Sequence, residues 1–449
     1  MSDVSCNAYV LLKTKNVITI CMHKARFFAA IGLLSILVAS IGFLQPSAVY
    51  ADCVSYNSST RTINITCDTT FDHIDDHTSD SVLDYLGRGQ YLLKANIVVN
   101  DGDRLTIDSS DVTWIKITGD YGIRVYGYLD IDGVKITSWN PSTNAVVKQN
   151  SDGTVPRPYI HYRGAEGGKI VDSEIAYLGY AAPSGYTFKR GITLDNTRNV
   201  QIINSNFHHM WYAFYSNSAS NIVIDRSDYH HNHKYAIDPH TGTRVMRITN
   251  NHVYDNVGTG IICSLDCYSI LIERNRVEDN SRSGIYLSRD MQRSIVRNND
   301  VSGSPIGIIV SESSNNWIYN NRISASDIGI YVSQPEQIDD GYSRDNSIHD
   351  NTIRDATYGV KIARADRNTF ADNDIRNAGR YEYYLVYGAT FTIEDQYFSN
   401  DRFYGASGSN RVTIEDSGTI TINGGTSYNT DARPYSKTLT NQRIIVDSR

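Results

Sequence analysis

The stretch from Gly260 to Val310, GIICSLDCYSILIERNRVEDNSRS-GIYLSRDMQRSIVRNNDVSGSPI-GIIV, begins the same short pattern three times. Each unit starts with a small residue, continues as a short run in which every second residue is apolar, and then passes into polar turns. An apolar period of two is typical of β-strands rather than helices. The stretch therefore predicts a repeated unit of short strands and turns.

The same start recurs over most of the chain, at spacings of 22, 23, 24, 24, 23, 22 and 30 residues. A unit of this length cannot bury its apolar face alone, but stacked units can share one core. Leucine-rich repeats have a similar period but require a Leu-rich consensus that this chain lacks. We therefore predict an all-β solenoid of parallel coils. The units begin at Gly191, Ala213, Ala236, Gly260, Gly284, Gly307, Gly329 and Gly359.

A second signal, Asn followed two residues later by Val or Ile, keeps step with the first. Asn side chains at the same place in successive coils can hydrogen-bond to one another in a ladder. We expect such a ladder at one turn of the solenoid. Its members would be Asn251, Asn275, Asn299, Asn321, Asn351 and Asn373.

The first 51 residues differ from the rest of the chain. Basic residues precede an apolar run from Phe27 to Leu44, and the segment closes with small residues up to Ala51. This order predicts a secretory signal peptide, with a retained membrane anchor as the alternative. Met22 offers a second start. We divide the chain into this leader (1–51), an N-terminal cap (52–91), a β-helix catalytic domain (92–392) and C-terminal coils or cap (393–449).

Export permits disulfide bonds, and four cysteines follow the leader. We expect Cys53 to pair with Cys67 across a short loop, and Cys263 and Cys267 to be buried thiols. Without the leader the chain keeps 38 basic and 48 acidic residues, a net charge of −10. An acidic chain is a poor general binder of polyanions, so any positive charge that meets an anionic polymer must be local.

The string Tyr235-Ala-Ile-Asp-Pro-His240 breaks the repeat at one strand. Pro removes a hydrogen-bond donor and is unwelcome in a central strand. A local rule that is broken in one coil suggests a functional site.

This string resembles the Tyr-Gly-x-Asp-Pro-His signature of the mannuronan (alginate) C5-epimerases, with Ala236 in place of Gly. Asn280-Ser-Arg282, Thr137-Ser-Trp139 and Ala176-Tyr-Leu-Gly-Tyr180 also resemble that family, the periplasmic type in particular. The resemblance covers roughly residues 110–390. It implies a right-handed parallel β-helix that acts as an isomerase on an alginate-like polyuronate. One departure is Leu265, where the periplasmic type has an arginine.

The residues themselves suit this chemistry. C5 of a uronate lies next to a carboxylate, so an enzyme must neutralise that carboxylate, remove a proton from one face and deliver one to the other. His240 has a suitable pKa for the base, and Tyr235 can donate from the opposite face. Arg282 can clamp the carboxylate with two parallel hydrogen bonds. Asp238 is expected to orient a ring nitrogen or a sugar hydroxyl.

Alternation predicts which residues face outward and bind the polymer. One outward column comprises Thr193, Tyr215, Asp238, Ile262, Tyr286, Ile309, Tyr331 and Lys361, and its neighbour comprises Asp195, Asn217, His240, Ser264, Ser288, Ser311 and Ser333. The predicted substrate-binding residues are Lys189, Arg190, Tyr215, Asn217, Lys234, Ser264 and Tyr286, with Lys189, Lys234 and Arg282 on one edge.

Four alternatives remain open from the sequence. A polysaccharide lyase would use the same base and then expel the O4 substituent, and a non-catalytic carbohydrate-binding β-helix would explain the tyrosine column. The pairs His208-His209 and His230-His231 lie 22 residues apart, so they would stack and offer ligands to zinc or copper. A glycosidase would require two facing carboxylates, for which Asp195 and Asp238 are the candidates.

We expect no metal and no cofactor. The expected partner is a polyuronate polysaccharide rather than a nucleic acid, and the mature chain is expected to be a monomer without stable membrane insertion, secreted, periplasmic or at the cell surface.

Overall fold

A computed structural model describes residues 53–333, 343–363 and 365–386, and the strands 393–394, 396–399, 402–404, 412–415, 420–423 and 445–447 beyond them. Within these residues the chain winds through three long sheets of 15, 15 and 14 strands, and each coil adds one strand to each sheet. Apart from antiparallel hairpins at the N-terminal end, neighbouring strands are parallel. The predicted parallel β-helix is confirmed.

The bounds of the elements follow the repeat. Sheet 1 contains Val54–Asn57, Thr62–Ile65, Asn96–Val99, Gly122–Val125, Tyr159–Arg163, Gly191–Asp195, Tyr212–Asn217, Ile237–His240, Ile261–Ser264, Ser283–Ser288, Ile306–Ser311, Ile328–Ser333, Tyr358–Ala363, Tyr381–Val386 and Val412–Glu415. Sheet 2 contains Thr69–Thr70, Arg104–Asp108, Tyr128–Asp132, Gly167–Val171, Val200–Ile203, Ser220–Asp225, Arg244–Thr249, Tyr268–Glu273, Ile295–Arg297, Trp317–Tyr319, Ser347–His349, Thr369–Ala371, Gln396–Ser399, Ile420–Asn423 and Ile445–Asp447. Sheet 3 contains Leu83–Gly87, Gln90–Leu93, Trp114–Thr118, Lys135–Trp139, Glu174–Ala176, Asn206–His208, Asp228–His230, His252–Tyr254, Arg276–Glu278, Asp300–Ser302, Arg322–Ser324, Thr352–Arg354, Asp374–Arg376 and Arg402–Tyr404.

Three smaller features complete the description. A short fourth sheet contains Ser343–Arg344, Ala365–Asp366 and Ile393–Glu394. The α-helix Phe71–Asp76 buries Phe71 and Ile74 at the N-terminal end of the core. The 3-10 helix Thr187–Arg190 leads directly into the sheet 1 strand Gly191–Asp195.

The core is the space enclosed by the three sheets, and alternation decides which side chains enter it. In Ser283–Ser288, Ile285 and Leu287 are 0% exposed, whereas Tyr286 between them is partly exposed on the outer face. Burying such aliphatic side chains contributes roughly 1.5–3 kcal/mol each. Coil after coil repeats this arrangement, so one apolar core runs the length of the solenoid.

The strand register confirms both predicted columns on sheet 1. Tyr215 pairs with Asp238, and Asn217 pairs with His240. His240 in turn pairs with Ser264. The serines of the second column are buried, however, with Ser264 only 1% exposed, so they do not present an open polar surface.

The predicted asparagine ladder is present and buried. Asn275 Nδ2 donates to Asn299 Oδ1 at 3.0 Å, and Asn299 Nδ2 donates to Asn321 Oδ1 at 2.9 Å. Each amide also donates to a backbone carbonyl, as Asn299 does to Ile272 at 3.0 Å. The ladder thus satisfies buried polar groups at the turn that leads into sheet 3.

The cysteines are arranged as predicted. Cys53 and Cys67 form a disulfide, and Cys263 and Cys267 are buried thiols. The parallel pairing begins with Thr62–Ile65, so the first coil uses part of the segment predicted as a cap. The leader 1–51 lies outside the described residues. Within those residues no helix is long and apolar enough to cross a membrane.

We expect Asn299→Ala to lower the free energy of unfolding by about 3–5 kcal/mol, because it leaves several buried donors and acceptors unpaired at roughly 1–3 kcal/mol each. Gln201→Ala, an exposed position on a sheet 2 strand, is the control and should cost less than about 0.5 kcal/mol. Urea denaturation followed by circular dichroism measures both. Equal losses would show that the ladder adds nothing to stability.

Candidate active site

A cleft of about 390 Å³ opens on the outer face of sheet 1 at the strand Ile237–His240. Three residues of the Tyr235-Ala-Ile-Asp-Pro-His240 string line it: Tyr235, Asp238 and His240. Tyr235 precedes the strand and His240 ends it, so a phenol and an imidazole lie at opposite ends of the strand. The residues that line the cleft are Arg190, Tyr212, Tyr235, Asp238, His240, Ile262, Ser264, Tyr286, Ser288 and Arg289.

The His240 imidazole is held between two partners. Its Nδ1 lies 2.6 Å from Thr241 Oγ1, and its Nε2 lies 3.5 Å from Arg289 Nη2. Because a guanidinium can only donate, Nε2 is the acceptor and Nδ1 carries the proton of the neutral ring. Burial and the charges of Arg289 and Arg190 lower the pKa of His240 to about 4. At neutral pH the ring therefore offers a lone pair to the cleft.

Asp238 is deeply buried, at 1% exposure. Its Oδ1 has no hydrogen-bond partner among the described residues. Burial raises the pKa of Asp238 well above its usual range, against the lowering effect of Arg190 and Arg289. Of the two roles predicted for Asp238, orientation of the His240 ring is wrong, because Thr241 contacts Nδ1 and Arg289 contacts Nε2. Orientation of a sugar hydroxyl stays a prediction.

Aromatic rings and a guanidinium pack together along one wall of the cleft. The Arg190 guanidinium lies 5.0 Å from the ring centroid of Tyr212 and 4.6 Å from that of Tyr215. Tyr212 and Tyr235 meet edge to face with centroids 5.5 Å apart. Burial raises the pKa of Tyr212 to about 12 and also raises that of Tyr235, so both hydroxyls keep their protons at neutral pH.

Arg289 and Tyr212 were not predicted as site residues. Arg289 follows Gly284-Ile-Tyr-Leu-Ser288, the same repeat position that Leu265 occupies one coil earlier. The guanidinium therefore reaches His240 from two coils away. Tyr212 directly precedes Ala213, just as Tyr235 directly precedes Ala236. The repeat itself contained the signal for both residues.

The predicted edge of cations is only partly present. Backbone hydrogen bonds align Lys234, Gly258 and Arg282, which places Arg282 two coils after Lys234 as predicted. Arg282 is exposed and does not line the cleft formed by the described residues. Its charge nevertheless lowers the pKa of Tyr235 against the larger effect of burial.

The remaining predicted binding residues divide into two groups. Ser264 and Tyr286 line the cleft, and Tyr215 contacts both Arg190 and the His240 ring, whose centroid is 5.4 Å away. Three others are engaged elsewhere and do not line the cleft. Lys189 Nζ forms an ion pair with Asp120 at 2.6 Å, Lys234 Nζ lies 5.2 Å from the Trp211 ring, and Asn217 Nδ2 donates to Asp195 at 3.2 Å.

The histidine pairs stack on sheet 3 as their spacing predicts. The His208 and His230 rings lie 5.0 Å apart, and the His209 and His231 rings lie 5.4 Å apart. Across the part of the chain that the structure describes, no three His, Cys, Asp or Glu side chains are grouped to hold a metal ion. The metal alternative therefore has no ligand set there.

Comparison with known proteins gives one family and several relatives. The sequence model of the family described as "Right handed beta helix region" matches residues 190–302, 240–398 and 292–443. A mannuronan C5-epimerase of Pseudomonas putida is 29% identical over 180 residues, 37% of this chain and 34% of that protein. A mannuronan C5-epimerase of Pseudomonas syringae pv. tomato is 27% identical over 243 residues, 51% of this chain and 45% of that protein.

The solved structures agree on the fold. The crystal structure of the periplasmic alginate epimerase AlgG superposes with a TM-score of 0.68 at 20% identity, covering 76% of this chain and 84% of that one. This similarity shows the fold alone. The chain matches only between a third and a half of the length of the two epimerases above.

We expect Arg289→Gln to raise the pKa of His240, because it removes a positive charge that disfavours the imidazolium. Arg293→Gln is the matched control, since Arg293 also lies in a left-handed turn but is exposed and outside the cleft. NMR titration of the His240 ring signals in both variants measures the shift. An unchanged His240 pKa in Arg289→Gln would contradict the contact between the two side chains.

Proposed function

The chain belongs to the right-handed β-helix family, and from that premise we propose that it is an isomerase of the mannuronan C5-epimerase type. It would convert mannuronate to guluronate residues within an alginate-like polyuronate. One observation carries the proposal: a neutral imidazole, three tyrosines and two arginines line one cleft. The resemblance of Tyr235-Ala-Ile-Asp-Pro-His240 to the epimerase signature and the similarity to the two Pseudomonas proteins support it.

The reaction removes the C5 proton from one face of the sugar and returns a proton to the other. We assign removal of the C5 proton to His240, whose Nε2 lone pair faces Arg289. A substrate carboxylate would compete for that guanidinium and free Nε2. Tyr235 at the other end of the strand, with Tyr212 beside it, supplies a phenolic proton.

Neutralisation of the substrate carboxylate is the second requirement, since it makes the C5 proton acidic. Arg190 and Arg289 line the cleft, and both charges act on Asp238 and His240. We assign them to the carboxylate in place of Arg282. We assign to Asp238, whose pKa burial raises, a hydrogen bond from its protonated carboxyl to the same carboxylate or to the enolate that forms from it.

A lyase remains the alternative because it begins with the same proton removal. The two outcomes differ only in whether C5 is reprotonated or the O4 substituent leaves. Export to the periplasm or cell surface is proposed from the leader sequence, and the Cys53–Cys67 disulfide suits an oxidising compartment.

We expect purified protein to convert polymannuronate into a polymer that contains guluronate, and His240→Ala to lower turnover by roughly 10²–10⁴-fold, the usual contribution of a general acid or base. His252→Ala on sheet 3 is the control and should retain activity. Proton NMR of the polymer measures conversion. Near-normal turnover by His240→Ala would contradict the proposal, and a 4,5-unsaturated end group would reassign the enzyme as a lyase.

We expect Arg190→Gln and Arg289→Gln each to lower kcat/KM by roughly 10²–10³-fold, since each removes a donor at the site of developing charge. Arg282→Gln should change kcat/KM by less than about fivefold, because a screened surface charge contributes roughly 0–1 kcal/mol. Initial rates on polymannuronate compare the three. The reverse order would return carboxylate binding to Arg282.

We expect kcat/KM to fall as pH drops through about 4, because His240 gains a proton there and loses its lone pair. Above that pH the neutral ring persists, so this group imposes no loss toward neutrality. A pH profile of initial rates measures the acidic limb. If kcat/KM instead falls around the ordinary pKa of histidine, the burial of His240 does not govern activity.

A further inference from the structure

The outer face of sheet 1 continues well past the cleft. The column that contains Tyr286 runs on through Ile309 and Tyr331 to Lys361. We propose that Lys361 and the tyrosines around it form a distal subsite that binds a second uronate of the same polysaccharide chain. This inference rests on the proposed function, because it presumes a polyuronate in the cleft.

Three aromatic rings surround the Lys361 ammonium. Its Nζ lies 5.2 Å from the ring centroid of Tyr331, 5.8 Å from that of Tyr358 and 5.7 Å from that of Tyr384. All four side chains are partly exposed on the outer face of the sheet. Aromatic rings pack against the apolar faces of sugars, and a cation attracts a carboxylate. The combination suits an anionic sugar better than a neutral sugar or a small anion.

The charge of Lys361 is not already neutralised by a neighbouring carboxylate of the described residues. Several other lysines of the solenoid are paired with carboxylates. Lys135 pairs with Glu174 at 2.8 Å, and Lys169 pairs with Asp132 at 3.0 Å. Lys361 instead rests against rings, which leaves the ammonium able to bind an incoming anion.

The outer face of sheet 1 is covered on the N-terminal side of the cleft. A long chain that follows the column can therefore leave the cleft only toward Lys361. The 3-10 helix Thr187–Arg190 lies over sheet 1, and the Phe188 ring stacks on the His161 ring at 4.8 Å. His161 belongs to the same column, three strands before Asp238, and is 4% exposed. A polymer bound at Asp238 therefore extends toward Lys361.

Distance sets the length of chain that the subsite would recognise. Lys361 lies five strands beyond Asp238, roughly 24 Å at a strand spacing of about 4.8 Å. An extended polysaccharide advances by roughly one strand spacing for each sugar. Short oligomers that fill the cleft would not reach Lys361, whereas longer chains would bind both places at once and gain from their linkage.

The test is a comparison of Lys361→Gln with two controls on substrates of two lengths. Lys361→Arg keeps the charge. Arg354→Gln removes one exposed charge from the same coil but on sheet 3. The substrates are a mannuronate trimer and long-chain polymannuronate, with KM and kcat measured for each and polymer binding by calorimetry.

We expect Lys361→Gln to bind polymannuronate roughly tenfold more weakly, equivalent to about 1.4 kcal/mol. Its KM should rise on the polymer alone, with kcat and the trimer kinetics unchanged and both controls near wild type. Polymer binding by Lys361→Gln equal to that of Arg354→Gln would overturn the subsite, even if wild-type protein epimerises the polymer. If wild-type protein does not epimerise but its polymer binding still depends on Lys361, the subsite stands and the proposed function fails.

Discussion

The hydrogen bonding of each coil to the next, strand on strand in parallel, is the constraint on which the rest of the molecule depends. It brings residues that are 22 to 30 positions apart in sequence to adjacent strands of one sheet. Since side chains alternate, one register decides at once which residues form the core and which form the outer columns. The asparagine ladder supports this register, because each buried amide bonds both the next asparagine and a carbonyl.

The cleft lies where this constraint is relaxed. Pro239 has no N–H to donate. Its strand pairs with the next strand, Ile261–Ser264, only at Ile237 and His240. Asp238 lies in that gap on the outer face and lines the cleft, yet it is only 1% exposed. Burial raises the pKa of this carboxyl, because it disfavours the charged form. The same burial therefore favours the protonated form, which can donate a hydrogen bond to an anion.

Sequence periodicity was sufficient to predict the strands, both columns, the asparagine ladder and the Cys53–Cys67 pair, because all of these follow from local spacing. The side chains that reach across coils were harder to predict. Arg289 acts on His240 from two coils away, and Lys189 turns back to Asp120, which precedes it by 69 residues. Such contacts depend on the length and rotamer of a side chain and on what covers it. The period of the repeat predicts neither the side-chain conformation nor what covers it.

The proposed mechanism requires that C5 loses one proton and receives another from a group of the cleft that exchanges with water. The deuterium content at C5, measured by NMR after polymannuronate is incubated with the protein in D₂O, tests this requirement. We expect guluronate residues to form and to carry deuterium at C5, while untouched mannuronate keeps its proton. Guluronate that forms without deuterium at C5 would contradict proton exchange at His240 and Tyr235.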